Sequence, residues 1–294
     1  MSPRRIVLCL ALLALVAPQL HAQLKVDLVV KRRLFIAYEP VIATVAITNL
    51  SGHDILLDSV DGQQWFSFQI MTGEGSLVPP RTQNYELPPL MVPAGQTLKR
   101  KVDLNALYPI NNFGLYRVRA SILLPETHKY YSSVESSVEI SEGKVIWQQT
   151  VGVPRGTEGA GSNRVISLLT FRQTKENMLY IRVEDRDADL VYTTSPVGRI
   201  LTGNEPQVLL DERNQIHILQ VTGPKAFLYT QMGLNGEWLN QSNYNSTQDR
   251  PHLAKLANGT VQVKGGQVDI AVAQSATAKV GPKLSDRPKN IPAE

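Results

Sequence analysis

The chain has 294 residues, with 30 basic and 26 acidic side chains and a formal net charge of +4. Because basic and acidic side chains are nearly equal in number, the composition excludes the strongly basic surface that nucleic-acid or anionic-membrane binding requires. Cys9 is the only cysteine, so a chain without its N-terminal segment can form no disulfide.

The first 22 residues have the pattern of a cleaved secretory signal peptide. Arg4 and Arg5 precede an apolar run over residues 6–17, and Ala22 supplies the small residue of a cleavage site. The apolar run is shorter than the roughly 20 residues that a bilayer-spanning helix needs. The pattern therefore predicts a mature chain from about Gln23, periplasmic or secreted, without a transmembrane segment. The lack of cysteine favours a bacterial source.

Residues 24–141 predict an all-β first domain. Short runs of alternating apolar and polar residues are separated by turn residues every ten or so positions, which favours a β-sandwich. The candidate strands are 24–31, 41–48, 54–60, 64–71, 97–104, 115–123 and 133–140, with 34–38 as a possible eighth.

One stretch near residue 116 has a more specific pattern. Gly114 opens a strand in which Tyr116, Val118 and Ala120 point to one face, and a turn at 92–96 begins the preceding strand. This resembles the late strands of bacterial immunoglobulin-like domains, including those named for an intracellular proteinase inhibitor. The resemblance implies a sandwich in which Tyr116 bonds back to the backbone, and it implies no activity because such domains share a fold rather than a function.

Two features of this domain are candidates for ligand binding. The proline-rich segment 78–93 is either a recognition loop exposing Arg81 and Tyr85 or a plain connection between sheets. Trp65 is expected at the rim of the sheet, where it could stack on a sugar, while Phe66 and Phe68 are expected inside.

Residues 142–163 are interpreted as a glycine-rich linker, although 145–147 could already form the first strand of a second domain. A second β-rich meander domain is predicted over 164–274. It contains three hairpins, at 178–194, 207–221 and 252–264. The tail at 275–294 lacks aromatics and is predicted to be disordered.

The segment 206–218 resembles a β-propeller blade of the sialidase or glycan-lyase kind. The spacing of the hairpins is unequal, and the domain is too short for the four blades of a closed propeller unless it oligomerises. A second sandwich or an open stack of meanders is therefore favoured. A surface or partly buried structural role is favoured for His217, whereas the blade resemblance implies that it could face a ligand channel. Trp238 is a second aromatic candidate for ligand contact.

Asp185, Asp187 and Asp189 have the alternate spacing of a calcium loop. The EF-hand pattern fails, because Leu190 and Pro196 stand where glycine and glutamate are required, so a solvated hairpin turn is the simpler interpretation. No other cofactor is predicted.

Taken together, the sequence favours an exported, non-enzymatic binding or scaffold protein with a protein or glycan partner in the cell envelope. The alternatives are a glycan-active enzyme or accessory protein and a proteinase inhibitor.

Overall fold

The computed structural model describes residues 23–82, 87–156, 159–173 and 176–269. The predicted signal peptide and the predicted C-terminal tail lie outside these ranges, as does Tyr85. The described chain is nearly all β, as predicted, and consists of sheets packed face to face.

The first domain holds ten of the described strands. They are β1 (Leu24–Val30), β2 (Leu34–Ile36), β3 (Ile42–Asn49), β4 (Ile55–Leu57), β5 (Phe66–Thr72), β6 (Leu90–Val92), β7 (Thr97–Asp103), β8 (Gly114–Leu124), β9 (Lys129–Ser132) and β10 (Ser136–Ser141). A single helical turn, α1 (Leu104–Leu107), follows β7, and the Asp103 carboxylate caps it by accepting the backbone N–H of Asn105.

Eight of these strands form a sandwich, and β4 and β6 form a separate two-stranded sheet. One sheet has the order β1-β3-β7, and the other has the order β2-β10-β8-β5 with β9 beside β8. The β2–β10 pairing is parallel, whereas the other pairings of the two sheets are antiparallel. Strand β3 alternates buried and half-buried residues, which is the period of a half-buried strand, and its buried residues share one core with Tyr116, Val118 and Ala120.

The predicted tyrosine corner is confirmed. Tyr116 Oη donates a hydrogen bond to the carbonyl oxygen of Asn112 at 3.0 Å, which ties the entry of β8 to the turn before it. The turn at 92–96 is also present: the N–H of Gln96 bonds to the carbonyl of Pro93 at 3.1 Å. Gly95 there has φ +71°, a left-handed conformation that glycine adopts without strain.

The prediction for Trp65 is wrong, although Phe66 and Phe68 are buried as expected. Trp65 is 0% exposed. It lies in a bend just before β5, where strand alternation does not apply, so its ring enters the core beside Phe66 at 5.6 Å between centroids. The indole N–H is directed at the carbonyl of Leu87, 3.4 Å away.

Eleven described strands form the second domain. They are β11 (Lys144–Gly152), β12 (Asn163–Gln173), β13 (Glu176–Asp185), β14 (Leu190–Arg199), β15 (Gln207–Leu210), β16 (Ile216–Val221), β17 (Ala226–Met232), β18 (Trp238–Asn245), β19 (His252–Lys255), β20 (Val261–Lys264) and β21 (Gln267–Val268). Much of the predicted linker is therefore strand, because β11 pairs along β12. The three predicted hairpins are β13–β14, β15–β16 and β19–β20.

The second domain is an open stack of meanders. A sheet β11-β12-β13-β14 packs on a sheet β15-β16-β17-β18-β21, and the β19–β20 hairpin covers the far face of the latter. All six residues of β16 are buried. Residues on its two faces belong to different cores, so β16 lies in the middle layer of the stack.

The two domains meet at a mixed apolar and polar contact, which we call the domain junction (Arg32, Ile36, Glu39, Phe171 and Tyr180). Ile36 of β2 packs with Phe171 and Tyr180 of the second domain. Gly143, between β10 and β11, lies so close that an added Cβ would be 2.3 Å from Ile36 Cδ1. A side chain at position 143 would therefore displace the buried Ile36 side chain.

Candidate functional site

Strand β11 forms an exposed edge of the second domain. Seven of its nine residues are exposed, including Val145 at 48% and Ile146 at 38%. Among the described residues β11 pairs with β12 alone. Lys144 is its only charged residue and stands at its first position. Edge strands that are long and uncharged present free backbone groups to other chains.

The ladder between β11 and β12 fixes which backbone groups are free. The N–H of Val153 donates to the carbonyl of Ser162 at 2.9 Å, and the register continues through Val151 opposite Arg164. Because bonding alternates along an antiparallel strand, the N–H and C=O groups of Gln148 and Thr150 point away from β12.

The free stretch of β11 is bounded at both ends. The register with β12 shifts between Val145 and Trp147, which leaves Ile146 as an extra, bulged residue. At the other end the carbonyl of Gly152 accepts a hydrogen bond from Asn214 Nδ2 at 3.1 Å. The open segment therefore runs from Trp147 to Val151.

The other long edges of the described sheets are blocked or charged. Strand β14 contains Pro196 and two breaks of register. Because proline has no N–H group to donate, this edge does not readily accept a further strand. Strand β7 carries consecutive basic residues over 99–101. In β5, Tyr108 Oη bonds both the N–H and the carbonyl of Phe68.

Strand β18 is partly covered as well. Its residues Tyr244 and Asn245 pair with β21, and the carbonyl of Asn243 accepts the N–H of Asp269 at 2.9 Å. Among the described edges, β11 is consequently the longest that has neither a proline nor an internal charge.

The domain junction holds a buried acid. Glu39 is 3% exposed, with its Oε1 2.5 Å from Arg32 Nη2 and 3.1 Å from the donating Tyr180 Oη. Burial raises the pKa of Glu39 above its ordinary value, and the nearby Arg32 offsets this only in part. Burial and the Glu39 charge together raise the pKa of Tyr180 to about 12.

A second polar contact crosses the same junction. Arg182 Nη2 donates to the carbonyl of Ala37 at 2.8 Å, and its guanidinium lies 5.2 Å from the centre of the Tyr38 ring. Together with the Glu39 bonds, this contact joins the turn after β2 to β13.

His217 is buried rather than open to a ligand. It is 2% exposed, because the β19–β20 hairpin covers the face of β16 on which it stands. Its Nδ1 lies 2.7 Å from Tyr229 Oη, and its Nε2 lies 3.4 Å from Asp211 Oδ2. Burial lowers the pKa of His217, while Asp211 acts in the opposite direction. Of the two roles considered from the sequence, this burial fits a structural histidine rather than a side chain that lines an open channel.

The aspartates of the predicted calcium loop do not converge. Asp185 is 4% exposed and its Oδ2 lies 2.9 Å from Arg164 Nη1, while its Oδ1 accepts the N–H groups of Asp187 and Ala188. Asp187 and Asp189 are exposed. Across the described ranges, no three His, Cys, Asp or Glu side chains are placed to hold a metal ion.

The remaining predicted residues lie apart. Arg81 is exposed, and its Nε donates to the carbonyl of Asn105 at 3.2 Å. Trp238 is 37% exposed at the start of β18 in the other domain. Tyr85 lies outside the described residues. Near Arg81 the proline-rich segment is tied down, because Val78 is buried and β6 pairs with β4.

A polar cleft of about 270 Å³ opens at the end of the β12–β13 hairpin, lined by Arg172, Glu176, Asn177, Arg199, Ile200, Leu201 and Thr202. Arg199 and Glu176 are both 55% exposed and lie 3.6 Å apart. Such an exposed pair is a weak interaction in water, so the cleft lacks the buried polar groups that orient a ligand.

The sequence interpretation missed β11 as a site. The signal was available: residues 145–153 form an uncharged, proline-free run with β-branched and aromatic members. What the sequence could not give is the position of this run at an edge, which depends on how the later strands pair.

Comparisons with known proteins leave the chain without a family. No family model matches it, and no curated protein matches it. Two solved structures show partial likeness. The sporulation control protein Spo0M from Bacillus subtilis has a TM-score of 0.29 at 10% identity, over 58% of this chain and 83% of that one. The periplasmic chaperone SfaE has a TM-score of 0.24 at 13% identity, over 74% of this chain and 97% of that one. At these TM-scores the likeness carries no functional argument.

Within the described part, no helix has the length and apolarity needed to cross a bilayer.

Proposed function

We propose that the protein is an exported, non-enzymatic binding protein that accepts an extended segment of a protein partner along β11. The observation that carries this proposal is the open backbone of Gln148 and Thr150 on an uncharged edge. In strand addition, main-chain hydrogen bonds supply affinity and alternate side chains supply selectivity. The N–H and C=O groups of Gln148 and Thr150 offer the main-chain hydrogen bonds. The flanking side chains of Trp147 and Val151 offer the selectivity.

The domain junction supports a scaffold role. A buried hydrogen bond between Tyr180 and Glu39 joins the two domains, so we expect the β11 edge to be presented on a single pre-organised unit. Pre-organisation lowers the entropic cost of association.

The two alternatives have weaker support. A glycan-active site built on His217 would need access that the β19–β20 hairpin closes. A proteinase inhibitor would need a protruding loop at 78–93, whereas Val78 and Leu87 are buried in the first domain.

The function can be tested with displayed peptides. Residues 23–294 are used to select binders from a library of random nonapeptides. Selected peptides should lose affinity about tenfold or more for Thr150→Pro, which removes an outward N–H group. The matched variant Thr150→Val keeps that N–H and should keep the affinity.

Two results would contradict strand addition at β11. One is a selection that yields no binders, and the other is a set of peptides that bind Thr150→Pro and Thr150→Val equally. If Thr150→Pro fails to fold by circular dichroism, Gln148→Lys serves instead, because a charge inserted into the edge also opposes pairing.

Export is tested separately. The full 294-residue chain is expressed in a Gram-negative host, and its periplasmic fraction is analysed by mass spectrometry. We expect a product that begins at or near Gln23. Leu13→Arg, which interrupts the apolar run, should remain in the cytoplasm with its N-terminus intact. Equal cytoplasmic retention of both chains would contradict export.

A further inference from the structure

Strand β11 is complementary to itself, and we infer that its occupant is a second copy of this chain, bound antiparallel about a two-fold axis at Gln149. This inference rests on the proposed strand addition and names its partner. A two-fold contact uses the same surface on both subunits. The surface must therefore match itself in charge, in hydrogen bonding and in side-chain packing.

The charges favour the antiparallel over the parallel direction. Residues 145–153 are uncharged, Lys144 stands at the start of β11, and the exposed Glu142 and Arg155 lie just beyond its two ends. Antiparallel pairing separates the two Lys144 side chains and the two Arg155 side chains, and it brings Arg155 of each copy to the same end as Glu142 and Lys144 of the other. Parallel pairing would place like charges side by side, which destabilises a sheet.

The free backbone groups select the register. Gln148 and Thr150 point outward, so each must oppose an outward residue of the second copy. A two-fold axis at Gln149 pairs Gln148 of each copy with Thr150 of the other, so this pair forms twice. An axis at Thr150 would instead need the Gly152 carbonyl, which Asn214 already occupies. An axis at Gln148 would need Ile146, which lies in the bulge.

The same register aligns apolar side chains. With the axis at Gln149, Trp147 of each copy stands opposite Val151 of the other. Both side chains pack on the core between the two sheets of the second domain. Aromatic and β-branched residues form favourable cross-strand pairs. The dimer would thus continue the four-stranded sheet across the axis and extend its inner apolar face.

Sedimentation velocity on residues 23–294 over a range of concentrations provides the first test. We expect a reversible dimer. Gln149→Lys and Gln149→Glu each place like charges opposite one another on the axis, so each alone should raise the dimer dissociation constant about tenfold or more. An equimolar mixture of the two variants should form the dimer again, because opposite charges then meet.

Cysteine cross-linking tests the register. Cys9 is the only natural cysteine and is absent from residues 23–294. In a non-hydrogen-bonded antiparallel pair the Cα atoms are about 4.5 Å apart, a separation that a disulfide accepts. Gln149→Cys should therefore form a covalent dimer under mild oxidation. Gln148→Cys, one residue away and also exposed, should not, because it faces position 150.

A wild-type chain that stays monomeric at all concentrations would overturn the inference, as would equal cross-linking at positions 148 and 149. Either result leaves the proposed function standing if displayed peptides still distinguish Thr150→Pro from Thr150→Val. Peptides that fail to distinguish them would remove the proposed function itself.

Discussion

Tyr180 Oη donates a hydrogen bond to Glu39 Oε1 at 3.1 Å, although the two residues are 141 positions apart. The same hydroxyl accepts from Arg32 Nη1 at 3.2 Å and is also bonded by Gln173. One side chain of the second domain therefore completes the hydrogen bonds of a buried acid in the first. Burying that acid without partners would be costly.

Removing this hydroxyl should weaken the domain junction. We expect Tyr180→Phe to lower the free energy of unfolding by about 1–3 kcal/mol, because Glu39 and Gln173 lose a partner in a buried place. Urea denaturation followed by circular dichroism measures the change. Tyr130→Phe is the control: Tyr130 is 52% exposed, and its loss of a hydroxyl should cost under about 0.5 kcal/mol. Equal effects of the two changes would contradict the assigned role.

The raised pKa of Glu39 gives the junction a pH dependence. An acid whose pKa is higher in the folded than in the unfolded state stabilises the fold when protonated, and this contribution is lost as the pH rises. The loss should begin near the ordinary glutamate value of 4.5 and continue until the folded-state pKa is passed. Glu39→Gln stays neutral and should lack this component.

Denaturation midpoints measured from pH 4 upward in parallel for wild type and Glu39→Gln test this dependence. The stability difference between the two proteins should shift in favour of Glu39→Gln as the pH increases. A difference that stays constant, or that moves towards wild type, would mean that Arg32 outweighs burial at this site.

Much of the first domain could be predicted from sequence because its signals are local. Alternation identified β3 and β8, and the pattern around Tyr116 identified the tyrosine corner. The Trp65 prediction failed because the candidate strand 64–71 begins two residues before β5, so Trp65 was placed in a strand although it lies in a bend. The Glu39–Tyr180 bond has no sequence signal at all, since nothing local relates residues so far apart.

In the second domain, too, features with local signals were predicted and features that depend on distant residues were not. Its hairpins were predicted because turn residues and strand runs are neighbours in the chain. The burial of His217 was not, because it depends on the β19–β20 hairpin, about 40 residues later, folding back over β16. Edge positions such as that of β11 likewise follow from the order of strands in a sheet rather than from any one strand.

His217 should make the second domain sensitive to mild acid. Its pKa is lower in the folded state, so the neutral form is favoured by folding. The stabilising contribution is therefore present above about pH 6.5, the ordinary histidine value, and is lost as the pH falls below it. His217→Gln has no titrating group and should lose less stability between pH 7.5 and pH 5.

Thermal melting at the two pH values measures this effect. The control is His252→Gln, which replaces a histidine that is exposed on β19. If wild type and His217→Gln lose stability in parallel, the acid sensitivity resides elsewhere.

The Arg164–Asp185 ion pair should be the most costly polar contact to break. Its side chains are 1% and 5% exposed, and the Arg164 guanidinium also lies 4.1 Å from the centre of the Tyr192 ring. Arg164→Met leaves the Asp185 carboxylate buried without its counter-charge, which we expect to cost about 3–5 kcal/mol. Urea denaturation again provides the measurement.

A matched pair in the same hairpin supplies the control. Arg186 and Glu184 lie 2.8 Å apart, but Arg186 is 60% exposed, so Arg186→Met should cost under about 1 kcal/mol. The double variant Arg164→Met with Asp185→Leu removes both buried charges and should recover most of the stability lost by Arg164→Met alone. A double variant as unstable as Arg164→Met would show that the arginine contributes through packing rather than through its charge.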